Sequence, residues 1–159
     1  MKLASMLPEG QNYKIYTDNY FTCVQLVVKL LDRGIHYVGT ARQVRLPNCN
    51  LEEKSLKKKG RGSFDIRLEA NHNICAVKWY DSRAVTLVSS FAGPDTVQRI
   101  QRWDKANKTY VEVERPYIVG TYMGGVDLLD SFTAKYKFPM KSRRWYSTCT
   151  SSGTPSSLL

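Results

Sequence analysis

Residues 13–40 constrain this chain more than any other stretch. Tyr13-Lys14-Ile15-Tyr16-Thr17 alternates and is rich in strand formers, and it stops at Asp18-Asn19, a turn-or-cap pair. A helix is expected from about Thr22 to Arg33, ended by Gly34. Its polar positions, Gln25, Lys29 and Asp32, form one narrow stripe, and Cys23, Val24, Leu26, Val27, Val28, Leu30 and Leu31 fill the rest. A helix apolar around most of its circumference belongs in an interior. Ile35-His36-Tyr37-Val38-Gly39-Thr40 then reads as a second strand. Strand, helix and strand within roughly 30 residues is a βαβ signature, and the crossover forces the two strands to pair in parallel.

The middle of the chain changes character. Leu51 to Gly62 is charged, with Glu52, Glu53 and Lys54 before Lys57-Lys58-Lys59-Gly60-Arg61-Gly62, and reads as a mobile basic loop. Three strands are expected after it, at Phe64 to Leu68, Ile74 to Tyr80 and Ala84 to Phe91. Asp81-Ser82-Arg83 serves as the hairpin turn between the last two. Gly93-Pro94-Asp95 breaks the pattern, and Lys105 to Val113 offers one more short strand. A helix is expected to begin after Gly124-Gly125 and to run from Val126 to Tyr136, with Leu129, Phe132 and Tyr136 on one side. Lys135 to Tyr146 is basic and interleaved with aromatics. From Ser147 the composition falls to Ser, Thr, Gly and Pro with one Cys, the pattern of a disordered tail.

Charge narrows the partners. Lys and Arg number 24 against 14 Asp and Glu in 159 residues, a formal charge of +10, which favours polyanions and nucleic acid above all. Four cysteines, Cys23, Cys49, Cys75 and Cys149, lack the close spacing of a zinc knuckle, so neither structural zinc nor a secreted disulfide framework is expected. No apolar run approaches the roughly 20 residues of a membrane span. Met1 to Pro8 turns polar too quickly for a secretory signal. The expectation is a nuclear chain, with cytoplasm as the alternative and no membrane partner.

Three acids stand where chemistry is done. Asp18 ends a strand, the usual place for functional groups in parallel α/β sheets. Asp127 and Asp130, three apart on a helix, share a face turned away from Leu129, Phe132 and Tyr136. Two-metal phosphoryl transfer needs clustered carboxylates, and Mg²⁺ takes oxygen ligands. The residues alone leave other roles open: Asp18 as a helix N-cap, Asp127 as a first-turn acid favourable to the helix dipole. Lys57, Lys58, Lys59 and Arg61, and then Lys135, Lys137, Lys141, Arg143 and Arg144, suit phosphate contacts, the second group with aromatics for base stacking. A solvated surface, or stems covering a core edge, accounts for them equally well.

Four blocks, in order, resemble the piggyBac-type transposases. They are Asp18-Asn19-Tyr20-Phe21-Thr22, Tyr37-Val38-Gly39-Thr40-Ala41-Arg42, Gly124-Gly125-Val126-Asp127-Leu128-Leu129-Asp130 and Lys141-Ser142-Arg143-Arg144-Trp145. The likeness runs from about Tyr13 to Tyr146 and is strongest to the domesticated piggyBac transposable element-derived proteins of animals. It implies an α/β fold: a partial RNase H-like core of the DDE transposase type with a β-rich insertion. It also implies Mg²⁺ or Mn²⁺ as cofactor and DNA as partner, with a homodimer or a full-length homologue as a further one. Asp18 corresponds to the family's second catalytic and metal-binding aspartate and Asp127 to its third, with Asp130 a nearby functional acid. The family's first aspartate lies far upstream of its second, whereas the 17 residues before Asp18 hold Glu9 as their sole acid. The stretch before Gly124 is also shorter than in the family.

The expected organisation is an extension at 1–12, a core fragment at 13–42, a β-rich insertion with its basic loop at 43–115, the third acidic motif and basic segment at 116–146, and a tail at 147–159. Three functional readings follow. One is a transposase-derived fragment whose ancestral DNA cleavage and strand transfer is lost with the first aspartate. Another is a non-catalytic DNA-binding remnant, and the third is an unstable fragment without function. Metal-dependent nicking would mark a fragment that keeps the ancestral reaction, and salt-dependent DNA binding separates the last two.

Overall fold

The computed structural model describes residues 6–8 and 10–136. The expected tail at 147–159, and Lys137, Lys141, Arg143 and Arg144, lie outside the described residues. The chain divides into two compact units, Met1–Gly124 and Gly125–Leu159.

In the first unit, β1 (Lys14–Thr17), α1 (Val24–Leu31) and β2 (His36–Thr40) form the expected crossover. β1 and β2 pair in parallel, Thr17 opposite Gly39. Gly34, at φ +69°, ends the helical segment in the left-handed region that glycine adopts without strain. The strands β3 (Phe64–Glu69), β4 (Ile74–Tyr80) and β5 (Ala84–Ser89) are antiparallel and join the same sheet, in the order β1-β2-β5-β4-β3. Tyr80 pairs with Ala84, so Asp81-Ser82-Arg83 is the turn expected there.

Strand alternation explains how this sheet is buried on both sides. Tyr37 of β2, Ile74 and Ala76 of β4 and Val88 of β5 face α1, where they meet Val27, Leu30 and Ile35. Val38, Cys75, Val77, Trp79 and Leu87 face the other way, onto Val113, Ile118 and Val119. β4 is therefore buried along almost its whole length, which is why it reads as a continuous apolar run. Even Lys78 is buried, its Nζ donating to the Leu51 carbonyl at 2.9 Å. α1 is less enclosed than its composition suggests. Val27 and Leu30 are buried, while Val24, Leu26 and Val28 are only partly covered.

Three expectations change. The span 43–115, expected as a β-rich insertion, is divided between two sheets. Three of its strands extend the sheet begun by 13–42, and among the described residues β6 (Gln98–Asp104) pairs only with β7 (Thr109–Arg115). The charged segment expected as a mobile loop contains a helix, α2 (Glu53–Lys59). One side chain anchors it. Leu56 is buried, and its carbonyl accepts from Ser63 Oγ at 2.8 Å and from the Gly60 N–H at 3.1 Å. Finally, the helix expected after Gly124-Gly125 begins earlier, as α3 (Tyr117–Tyr136). Pro116 stands at its start, where a missing N–H costs nothing, and its carbonyl accepts from Val119 N–H at 3.0 Å. Burial of Ile118 and Val119 holds that first turn, and the unit boundary falls within α3 at Gly124/Gly125.

Cys23, Cys49 and Cys75 are free thiols. Burial, and then the charge of Asp95, push the Cys75 thiol up to about 11. Among the described residues, no helix is long and apolar enough to cross a membrane.

Candidate functional site

Asp18 lies at the carboxyl end of the parallel pair β1/β2, just past Thr17. Its carbonyl accepts from the Phe21 N–H at 3.1 Å and from Thr22 Oγ1 at 3.2 Å, which closes a turn over 18–22. Its carboxylate Oδ1 accepts from the Asn19 N–H at 2.6 Å and from Thr40 Oγ1, at the end of β2, at 3.1 Å. Asp18 is thus not a helix cap; Cys23 holds the N-cap position of α1, without a side-chain cap bond.

Beneath the turn lies a buried hydroxyl cluster. Tyr37 Oη donates to Thr22 Oγ1 at 2.8 Å and is also bonded to Thr17 Oγ1. Burial raises the Tyr37 pKa, against the lowering effect of its bonds to Thr17 and Thr22. Gly39 leaves the room for this cluster, and Arg45 clamps the turn from outside by donating to the Asn19 and Tyr20 carbonyls. Residue types alone gave no sign of Thr40, Tyr37 or Arg45 in these roles, because the contacts join segments about 20 or more positions apart. The Tyr37-Val38-Gly39-Thr40 block nevertheless marked two of them.

The turn opens on a cavity of about 460 Å³ lined by Asp18, Thr40, Arg83, Thr86, Tyr122 and Met123, among others. Among the described residues, Asp18 is the only acid lining it. Asp127 and Asp130 are exposed on the part of α3 that belongs to the second unit. Among the described residues, no group of three or more His, Cys, Asp or Glu is placed to hold a metal ion. The donors of the first unit do not fit the Mg²⁺ or Mn²⁺ implied by the resemblance, because such a cation takes several oxygen ligands and Asp18 supplies the one carboxylate among the described residues lining the cavity.

The basic residues separate into two kinds. Lys57, Lys58 and Lys59 are exposed at the end of α2. Arg61 is not: its Nε lies 2.6 Å from Asp81 Oδ1, and Arg102 approaches the other carboxylate oxygen at 3.8 Å. Lys135 is exposed, with its Nζ 5.6 Å from the Phe132 ring centre.

Replacing Tyr37 by Phe should keep the ring packing and strip the cluster of its central hydroxyl. The expected cost is about 1–2 kcal/mol in urea denaturation, because Thr22 is fully buried and loses a partner. The raised phenol pKa has its own signature. Its contribution is complete below pH 10.0, the ordinary tyrosine value, and is lost as pH rises through the folded-state value. The variant should lack that alkaline loss; a parental alkaline profile in Tyr37→Phe would refute the assignment.

The family model described as Transposase IS4 matches residues 1–152. The chain is 36% identical over 140 residues to human piggyBac transposable element-derived protein 2, covering 86% of this chain and 24% of that protein. It is 34% identical over 143 residues to human piggyBac transposable element-derived protein 3, covering 87% and 24%. The chain therefore spans about a quarter of the length of these curated relatives. Its fold is similar to a chain in the cryo-EM structure of a piggyBac transposase synaptic complex with hairpin DNA. That match has a TM-score of 0.54 and 23% identity, and covers 95% of this chain and 30% of that one.

Proposed function

The chain belongs to the IS4 transposase family, on its piggyBac side, and from that premise we propose that it is a transposase-derived module that binds DNA without cutting it. The observation that carries the second half is that Asp18 supplies the one carboxylate among the described residues lining the cavity of the first unit. In-line cleavage of a phosphodiester by two cations requires several carboxylates around them. One carboxylate, already accepting two hydrogen bonds, does not meet that need.

The first half draws on the +10 charge, on the exposed Lys57-Lys58-Lys59 run and on the DNA held by the structural neighbour. In this reading the β1-α1-β2 unit is the part of an RNase H-like, DDE-type core that carries the second aspartate, Asp18. Asp127 is the descendant of the third and Asp130 an acid beside it. A nuclear location fits the same reading.

Two measurements test it. Incubated with Mg²⁺ or Mn²⁺, the chain is expected neither to nick nor to join linear or hairpin-ended duplexes. Reproducible cleavage that disappears in Asp18→Ala would overturn the non-cleaving half. Duplex affinity, followed by anisotropy, should fall with salt by about 0.9 log units per log unit of salt for each phosphate neutralised. Changing Lys57, Lys58 and Lys59 together to Gln should lower that slope by up to about 2.7. No binding at low ionic strength, or a flat salt response, rejects DNA binding and leaves the inert-fragment reading.

A further inference from the structure

The β6–β7 ribbon has an outer end that the core does not explain. Its seven cross-strand pairs run from Gln98 opposite Arg115 to Asp104 opposite Thr109. Alternation gives it two faces. On the inner one, Val113 is buried, Ile100 packs beside it, and Arg102 Nη2 lies 3.5 Å from Met123 Sδ. The base of the ribbon is fixed, because Trp79 Nε1 donates to the Glu114 carbonyl at 2.8 Å.

On the outer face, Trp103 and Tyr110 are direct cross-strand partners with ring centres 5.1 Å apart at 68°. They are 49% and 65% exposed. Beyond them the turn is closed by Asp104, whose carboxylate accepts from the Ala106 N–H at 3.0 Å and from Asn107 Nδ2 at 2.8 Å. Lys105 and Lys108 are exposed within this turn.

We propose that Trp103 and Tyr110, with Lys105 and Lys108, form a stacking site for an unpaired base of single-stranded DNA. This rests on the DNA-binding reading above and gives it a strand preference. An edge-to-face pair leaves a ring face open to solvent, and every base has a π-face to set against it. The lysines supply the phosphate contacts that accompany stacking. Glu112 and Glu114 occupy the same outer face nearer the fixed base. Arg99, exposed opposite Glu114, offsets one of these charges, but Glu112 faces only the neutral Gln101, so the DNA is taken to cross the tip, where Lys105 and Lys108 lie. Duplex bases are already stacked and offer no such face away from their ends.

The test uses the full chain and fluorescein-labelled oligo-dT of about 15 nucleotides, beside a duplex of equal length. Trp103→Ala and Tyr110→Ala are each expected to weaken oligo-dT binding about 5- to 100-fold and to leave duplex binding within about twofold. Trp103→Phe, which keeps an aromatic face, should stay within about threefold of the parent. Lys105→Gln with Lys108→Gln should lower the single-strand salt slope by about 1.4. If both alanine variants bind oligo-dT like the parent, the stacking site is wrong while DNA binding stands. Equal losses on oligo-dT and duplex also overturn it, because they report a general phosphate contact. If the parent binds neither probe at low salt, both proposals fall.

Discussion

Gly39→Ala is expected to destabilise the chain by about 3–4 kcal/mol, a large share of the roughly 5–15 kcal/mol that holds a domain together. Gly39 sits in β2 opposite Thr17, and a Cβ there would lie 2.5 Å from Thr17 Oγ1, 2.9 Å from the Thr17 carbonyl and 2.9 Å from Thr22 Oγ1. None of these atoms has room to yield. The Thr17 and Thr22 hydroxyls are held by Tyr37, and the carbonyl is backbone of the neighbouring strand. The added methyl must therefore break the hydroxyl cluster or part the strands. At about 2–4 °C per kcal/mol, the melting temperature should fall by roughly 6–16 °C. A double-mutant cycle locates the strain. In a Thr17→Ala background the worst contact is gone, so the Gly39→Ala penalty should shrink, without vanishing because the carbonyl clash remains. A melting temperature within about 1 °C of the parent for Gly39→Ala alone would be incompatible with this packing.

Trp79→Ala is the second large effect. Trp79 is 2% exposed, lies between Phe64 and Val85 in the sheet register and supports the ribbon through its bond to the Glu114 carbonyl. Truncation should cost about 3–5 kcal/mol for the cavity, and about 1 kcal/mol more for the orphaned carbonyl. Trp79→Phe retains much of the volume and should show mainly the lost hydrogen bond and the smaller ring. The loss should also be local in character. Amide exchange in β6 and β7 is expected to accelerate in Trp79→Ala more than exchange in β1 and β2, because among the described residues the ribbon pairs with no other strand. Uniform acceleration across both sheets would show that Trp79 does not anchor the ribbon.

What consecutive residues could encode was legible. The alternation of 13–17, the apolar helix after it and the Gly34 stop are local patterns, and together they set the crossover and place Asp18 at a strand end. The apolar run Ile74–Tyr80 and the turn after it were equally plain. Gln98–Asp104 was not read as a strand. Gln, Arg and Asp dominate it, and its pairing with Thr109–Arg115 leaves one face in water, so its strand pattern is carried by few apolar residues. α2 escaped because a single buried leucine holds it. The start of α3 escaped because two glycines imitate a break while Ile118 and Val119 bury its first turn.

The sequence by itself determined which segments are extended and which are helical over most of the first unit, and which acid ends the first strand. Only the tertiary structure decided that β5 lies between β2 and β4, that Thr40 holds the Asp18 carboxylate, and that Asp81 takes Arg61 away from the basic surface. Periodicity and turn chemistry act between neighbours in the chain. The β2–β5, Asp18–Thr40 and Arg61–Asp81 contacts join residues 20 or more positions apart, and they form because the sheet must cover both of its faces at once and satisfy the polar groups it encloses.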